Sequence, residues 1–148
     1  MRTIKRDIVG AFIISADQKL LLGKSNRATY EGMWLVPGGG IEAGESTEEA
    51  LIREVKEETG IDITQAKIES LALRHNGTSE KILKETGERV IGVYDFFNYK
   101  VTLSVNAEDA HVQEADDFTD ATWWTFDELA RIPLSPPTKR TLEFMGFL

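Results

Sequence analysis

Three glutamates, Glu54, Glu57 and Glu58, have the spacing that would place them together on one face of a helix. Three like charges on one face repel each other, so structural stability alone does not favour this arrangement. A bound divalent cation would remove the repulsion. Oxygen ligands of this kind suit Mg²⁺ or Mn²⁺, which also bind phosphate oxygens. The spacing therefore indicates a metal site that acts on phosphates, with a solvated, charge-rich surface helix as the alternative.

Two neighbouring features strengthen the metal interpretation. A run of three glycines, Gly38–Gly40, precedes the glutamates and can bring backbone carbonyls and amides close to a ligand. Arg53 lies four residues before Glu57, so it can pair with that carboxylate or reach back towards Glu45. Apolar residues at 50, 51 and 55 provide the opposite face of the helix for packing against a core.

The segment from residue 39 to residue 61 matches the pattern Gx5Ex7REUxEExGU, in which U is apolar, at every position. The matching residues are Gly39, Glu45, Arg53, Glu54, Val55, Glu57, Glu58, Gly60 and Ile61. For independent residues at average frequencies, such a match arises with a probability on the order of 10⁻⁹ per start position. The chain therefore resembles the Nudix hydrolases.

This resemblance implies a loop–helix–loop metal site within an α/β/α sandwich, and attack by water on a phosphorus of a nucleoside diphosphate linked to another group. By position, the resemblance implies that Glu57 and Glu58 are metal ligands and that the Gly38 carbonyl completes the metal shell. It implies that Glu54 is a ligand or the general base. Arg53 and Glu45 would orient the carboxylates, as outer-shell residues do at metal sites. The expected cofactor is Mg²⁺ or Mn²⁺.

The C-terminal part resembles the bacterial Nudix nucleoside triphosphatases that act on pyrimidine deoxynucleotides. The similarity rests on Asp116-Asp117-Phe118, Asp120, Trp123 and the ending from Thr138 to Leu148. The predicted reaction is therefore hydrolysis of a nucleoside triphosphate to a nucleoside monophosphate and pyrophosphate. The segment LLGKSNRATYEGMWLVPGG is also similar to GDP-mannose hydrolases, so hydrolysis of a nucleotide sugar or of ADP-ribose is the alternative. A binding module without activity is disfavoured by the intact carboxylates.

Further site residues are expected in the flanking loops. Asp117 is a candidate base or additional metal ligand, with Glu114 and Asp116 as competitors and a solvated acidic loop as the alternative. Arg27 and Tyr30 are candidate substrate-binding residues, through phosphate contact and base stacking respectively. Gly39 and Gly40 complete the predicted substrate-binding set, and Trp34 is expected in the core.

Composition supports a single domain over residues 1–148. Apolar residues make up 41% of the chain, which is enough for a core, and the formal net charge is −8. That charge disfavours nucleic acid as a partner. The absence of cysteine excludes disulfides and thiolate chemistry. With no span of membrane length, we expect a cytoplasmic protein whose partner is a small nucleotide; a homodimer stays open.

The elements that must position these residues follow from periodicity and turn signals. The predicted strands are residues 3–15, 19–23, 34–36, 66–75, 89–103 and 121–124. The predicted helices are residues 46–59, 126–130 and 136–144. Ser46 and Glu49 form a capping box for the first helix, and Gly60 ends it. Strands that precede, separate and follow helices predict an α/β or α+β sandwich with a mixed sheet.

Overall fold

A computed structural model describes residues 1–26, 30–115 and 117–148, with the side chains of residues 72–76 outside that description. The strands are β1 (Arg2–Ile14), β2 (Lys19–Lys24), β3 (Trp34–Leu35), β4 (Gly38–Gly40), β5 (Lys67–Ile82), β6 (Arg89–Thr102) and β7 (Thr119–Thr125). The α-helices are α1 (Thr47–Thr59) and α2 (Pro136–Met145), and 3₁₀ helices cover Ala107–Asp109 and Phe126–Arg131.

The described strands form one mixed sheet in the order β3-β2-β1-β6-β5. Strand β1 lies at its centre and runs parallel to β6 along its whole length, from Arg2 beside Val90 to Ile14 beside Thr102. The other pairings are antiparallel, including β4 with β1 and β7 with β2. The mixed sheet expected from the sequence is therefore confirmed.

Alternation along β1 divides the apolar residues into two cores, one on each face of the sheet. Val9, Ala11 and Ile13 pack with the buried face of α1. Phe12 and Ile14 pack on the other face with Leu142 of α2. Helices cover both faces, as the predicted α/β/α sandwich requires.

The two adjacent tryptophans of β7 illustrate this division. Trp123 packs against the α1 core, whereas Trp124 belongs to the α2 core. Trp124 meets Trp34 edge-on, with ring centroids 5.0 Å apart. Trp34 is only 8% exposed, so its predicted place in the core is confirmed.

The main differences from the strands and helices predicted from the sequence lie in four segments. Residues 38–40 form a short strand instead of ending one, because their backbone pairs with Ile8–Gly10 of β1. Strand β5 continues to Ile82, since its partner β6 supplies backbone hydrogen bonds along a polar stretch without a clear strand pattern. The segment Phe126–Arg131 is a 3₁₀ helix, and a 3₁₀ turn interrupts the predicted loop at 107–109.

Candidate active site

Helix α1 begins and ends where its sequence predicts. The Ser46 hydroxyl accepts a hydrogen bond from the Glu49 amide at 3.1 Å, and the Glu49 carboxylate accepts one from the Ser46 amide at 2.9 Å. Gly60 ends the helix in the left-handed conformation, with φ of 78°. The Tyr99 hydroxyl of β6 donates to the Thr47 hydroxyl at 2.6 Å, which ties the start of the helix to the sheet.

The buried face of α1 determines which way its carboxylates point. Ala50, Leu51 and Val55 are fully buried against the sheet. Glu54 and Glu57 lie beside this buried face, and their side chains are 14% and 58% exposed. The helix therefore presents a graded row of carboxylates along the side of β4.

Strand β4 lies at the edge where these carboxylates meet the sheet. Ala11 donates its amide to the Pro37 carbonyl at 2.9 Å, so position 37 faces β1. By alternation, the N–H and C=O groups of Gly38 and Gly40 face away from β1. The Gly38 amide donates to the Glu58 carboxylate at 2.6 Å. The Gly38 carbonyl shares this open edge, which supports its predicted place in a metal shell.

Arg53 connects helix α1 to the loop that lies between β4 and α1. Its guanidinium donates to both carboxylate oxygens of Glu45, at 2.6 and 2.9 Å, in a bidentate pair. It also donates to the Gly40 carbonyl at 3.0 Å, to Glu54 at 3.0 Å and to Glu57 at 3.3 Å. One side chain therefore fixes two helix carboxylates relative to the glycine strand (β4, Gly38–Gly40), and its role as an orienting residue at a metal site stays a prediction.

The charges in this network stabilise one another. The hydrogen bond from Arg53, with a further one from the Glu42 amide, lowers the pKa of Glu45 to about 2. The pKa of Arg53 is raised far above its usual range, mainly by its hydrogen bond to Glu45. Both groups are therefore charged at every pH at which the protein is expected to work.

Gly39 is required by a close approach. A Cβ built at this position would lie 2.5 Å from Cδ of Glu54 and 2.6 Å from both of its carboxylate oxygens. The Glu54 carboxylate thus rests directly on the backbone of β4, in space that any larger residue would fill. The sequence suggested that glycines let the backbone approach a ligand, and the structure shows such an approach to a carboxylate.

The donor set fits a hard divalent cation, with oxygen from Glu54, Glu57, Glu58 and the Gly38 carbonyl beside one strand edge. Within residues 1–26, 30–115 and 117–148, no three acidic, histidine or cysteine side chains lie close enough together in this conformation to hold a metal ion. In this conformation the carboxylates engage Arg53 and the Gly38 amide instead. The carboxylates therefore form an open row along β4, and metal binding by this row stays a prediction.

The residues predicted outside this network have varied positions. Tyr30 is half-buried in the loop before β3, where its carbonyl accepts from the Met33 amide at 2.9 Å. Asp117 directly precedes Phe118, which is fully buried in the α1 core. Glu114 accepts from the Ala121 amide at 2.9 Å, which gives it a structural role. Arg27 and Asp116 lie outside the described residues.

Sequence reasoning missed two contacts of the glycine strand. The Gly38 amide, and not only its carbonyl, engages the helix through Glu58. On the other face of β4, the guanidinium of Arg6 lies against Gly40. In the sequence, Arg6 is marked only by its place in a basic N-terminal segment. Its contact with Gly40 arises from the pairing of β4 with β1, which the local sequence does not reveal.

Comparison with known proteins shows which family the chain belongs to. The family model described as NUDIX domain matches residues 4–144. The chain belongs to the NUDIX family. The nucleoside triphosphatase NudI of Salmonella agona is 33% identical over 138 residues, which cover 92% of this chain and 94% of that protein. NudI of Enterobacter sp. is 32% identical over 124 residues, 84% of each chain.

Solved structures share the fold of this chain at lower identity. The NUDIX domain of Shewanella oneidensis NrtR, in complex with ADP ribose, superposes with a TM-score of 0.69 at 22% identity and covers 95% of this chain and 85% of that one. The E. coli dihydroneopterin triphosphate pyrophosphohydrolase gives a TM-score of 0.70 at 18% identity, with coverage of 93% and 92%. Family and fold class, as predicted from the sequence, are thereby confirmed.

No helix among the described residues is long and apolar enough to cross a membrane.

Proposed function

We propose that this NUDIX protein hydrolyses a nucleoside triphosphate with water to a nucleoside monophosphate and pyrophosphate, and that it requires Mg²⁺ or Mn²⁺. The observation that carries the proposal is the Arg53 network, which holds the carboxylates of the complete family motif against the glycine strand. The substrate class is supported by relatives named nucleoside triphosphatase, which the chain matches over 92% of its length.

The ligands we assign to the metal are Glu54, Glu57, Glu58 and the Gly38 carbonyl. When bound, the cation offsets phosphate charge and lowers the pKa of an attacking water. A bound cation would be needed here, because a protein with a net charge of −8 would otherwise repel a polyphosphate. Three glutamates in a row then attract cations where the substrate must bind.

Arg53 and Glu45 act by positioning. Arg53 is held by the two oxygens of Glu45, and its remaining donors fix Glu54 and Glu57. A carboxylate that is already in place loses less entropy when it takes up metal or a proton. The proton from the attacking water would pass to Glu54 or to Asp117; general base catalysis of this kind contributes about 10²–10⁴-fold.

A substrate screen with product analysis tests the proposal. It should cover ribo- and deoxynucleoside triphosphates, nucleotide sugars, ADP-ribose and dinucleoside polyphosphates, each with Mg²⁺ and with Mn²⁺. We expect triphosphates to release pyrophosphate and monophosphate, and chelation of the metal to stop the reaction. Orthophosphate as the first product would contradict the proposal. Faster turnover of GDP-mannose or ADP-ribose than of any triphosphate would favour the alternative substrate class.

A further inference from the structure

Arg6 and Glu54 lie on opposite faces of the same glycine strand. Neighbouring residues in a strand face opposite ways, so Gly39 and Gly40 open towards different sides of β4. A Cβ on Gly39 would strike Glu54, whereas a Cβ on Gly40 would strike the Arg6 guanidinium. Strand β4 therefore lies between the carboxylates of α1 on one face and the Arg6 guanidinium on the other.

The two guanidiniums beside Gly40 differ in their partners. Arg53 is saturated, because it bonds to three carboxylates and to the Gly40 carbonyl. Arg6 forms no hydrogen bond or ion pair within the described part of the chain. Its basic neighbours on β1 are both paired, Arg2 with Glu88 at 2.7 Å and Lys5 with Asp95 at 3.2 Å.

The position of Arg6 suits an anion that is already held at the metal site. Gly38 and Gly40 are two residues apart in a strand, a separation of about 7 Å. A phosphate chain bound near the Gly38 carbonyl can therefore extend along the open edge of β4 to reach Arg6. The arginine is exposed and opens on a hollow of about 340 Å³, which Lys5, Asp7 and Glu42 also border.

We propose that Arg6 binds the phosphate chain of the substrate, on the side of β4 opposite the carboxylate helix. An unpaired guanidinium offers a fork of N–H donors that matches phosphate oxygens, and binding exchanges its water for a charge-assisted contact. Arg6 thus supplies positive charge that the carboxylate side of the strand lacks, since Arg53 is committed there. The inference rests on the proposed function, because it takes a polyphosphate as the ligand.

Steady-state kinetics on a triphosphate, with saturating Mg²⁺, test this role. Arg6→Gln should raise KM about tenfold or more, with kcat changed by less than threefold, because the contact exists before the chemical step. Arg6→Lys keeps the positive charge but loses the planar set of guanidinium N–H donors, so its KM should lie between those of the wild type and of Arg6→Gln. Arg2→Gln is the matched control, because it makes the same change in charge on the same strand away from the hollow, and it should shift KM by less than twofold.

A second variant leaves the charge in place. Gly40→Ala puts a methyl group where the guanidinium lies, so it should displace Arg6 and raise KM in the same direction. Inhibition by added pyrophosphate should also weaken in Arg6→Gln. Equal KM values in Arg6→Gln and Arg2→Gln, or a loss confined to kcat, would overturn the inference while leaving triphosphate hydrolysis intact. A wild-type protein that cleaves no triphosphate would instead refute the proposed function, and this inference with it.

Discussion

Gly39→Ala is the substitution for which the structure gives the most direct magnitude. Carbon–carbon contacts are normally about 3.5–4.0 Å, but the new methyl would lie 2.5 Å from the carboxylate carbon of Glu54. The carboxylate must therefore retreat by about 1 Å. A displacement of that size at a reacting centre costs on the order of 10²-fold in rate. We expect kcat to fall by about that factor.

The cost to folding should be modest. The obstructing atoms are the end of one flexible side chain, so overpacking should cost about 1–3 kcal/mol of unfolding free energy. Gly44→Ala is the matched control, because Gly44 has φ of +84° and no atom within 4 Å of its added methyl. The left-handed conformation costs about 1–2 kcal/mol there, without any contact with Glu54.

The two variants should therefore be similar in stability and different in activity. The assays are pyrophosphate release under saturating substrate, thermal unfolding, and titration with Mn²⁺ to measure metal affinity. If Gly39→Ala retained a kcat within threefold of the wild-type value, turnover would not depend on the position of the Glu54 carboxylate against β4. If Gly44→Ala lost as much kcat as Gly39→Ala, the effect would come from the loop as a whole.

Glu57→Gln and Glu58→Gln should each lower turnover by orders of magnitude, because each removes an anionic metal ligand. Without metal, the thermal stability of Glu57→Gln should hold or rise, because repulsion between like charges on the helix is relieved. Near-normal turnover in both variants would rule out the metal assignment. Asp117→Asn should lower kcat at least tenfold with little change in KM, whereas Glu114→Gln, whose carboxylate accepts a backbone hydrogen bond, should cost less than threefold in kcat. The reverse result would move the role to Glu114. The pKa of Glu45 is lowered on folding, so its stabilising contribution is present above about 4.5 and is lost as the pH falls towards about 2. Acid titration of the unfolding free energy should show a shallower decline over that window in Glu45→Gln than in wild type.

Much of helix α1 could be predicted because its determinants are local. The capping box at Ser46, the stop at Gly60 and the shared face of the three glutamates all follow from 3.6-residue periodicity and from backbone groups at the helix ends. Pairing between Arg53 and Glu45 was also within reach of the sequence, since the loop between them is short. These interactions join residues at most eight positions apart.

The environment of the glycine strand depended on tertiary structure. The sequence predicts that Gly38–Gly40 ends a strand. The segment forms a strand of its own because its backbone pairs with Ile8–Gly10. That pairing brings Arg6 to Gly40 across more than thirty residues of sequence, and it turns Gly39 towards Glu54. The parallel pairing of β1 with β6 is similarly remote.

The sequence by itself determined the family, the carboxylate helix and the residues of its motif, because a helix and its caps are specified by neighbours in the chain. Only the tertiary structure decided which face of β4 each glycine presents, and that Arg6 rather than another basic residue lies beside the site. The physical reason is that strand register is fixed by burying alternate side chains of β1 in two separate cores, a condition that no short segment contains.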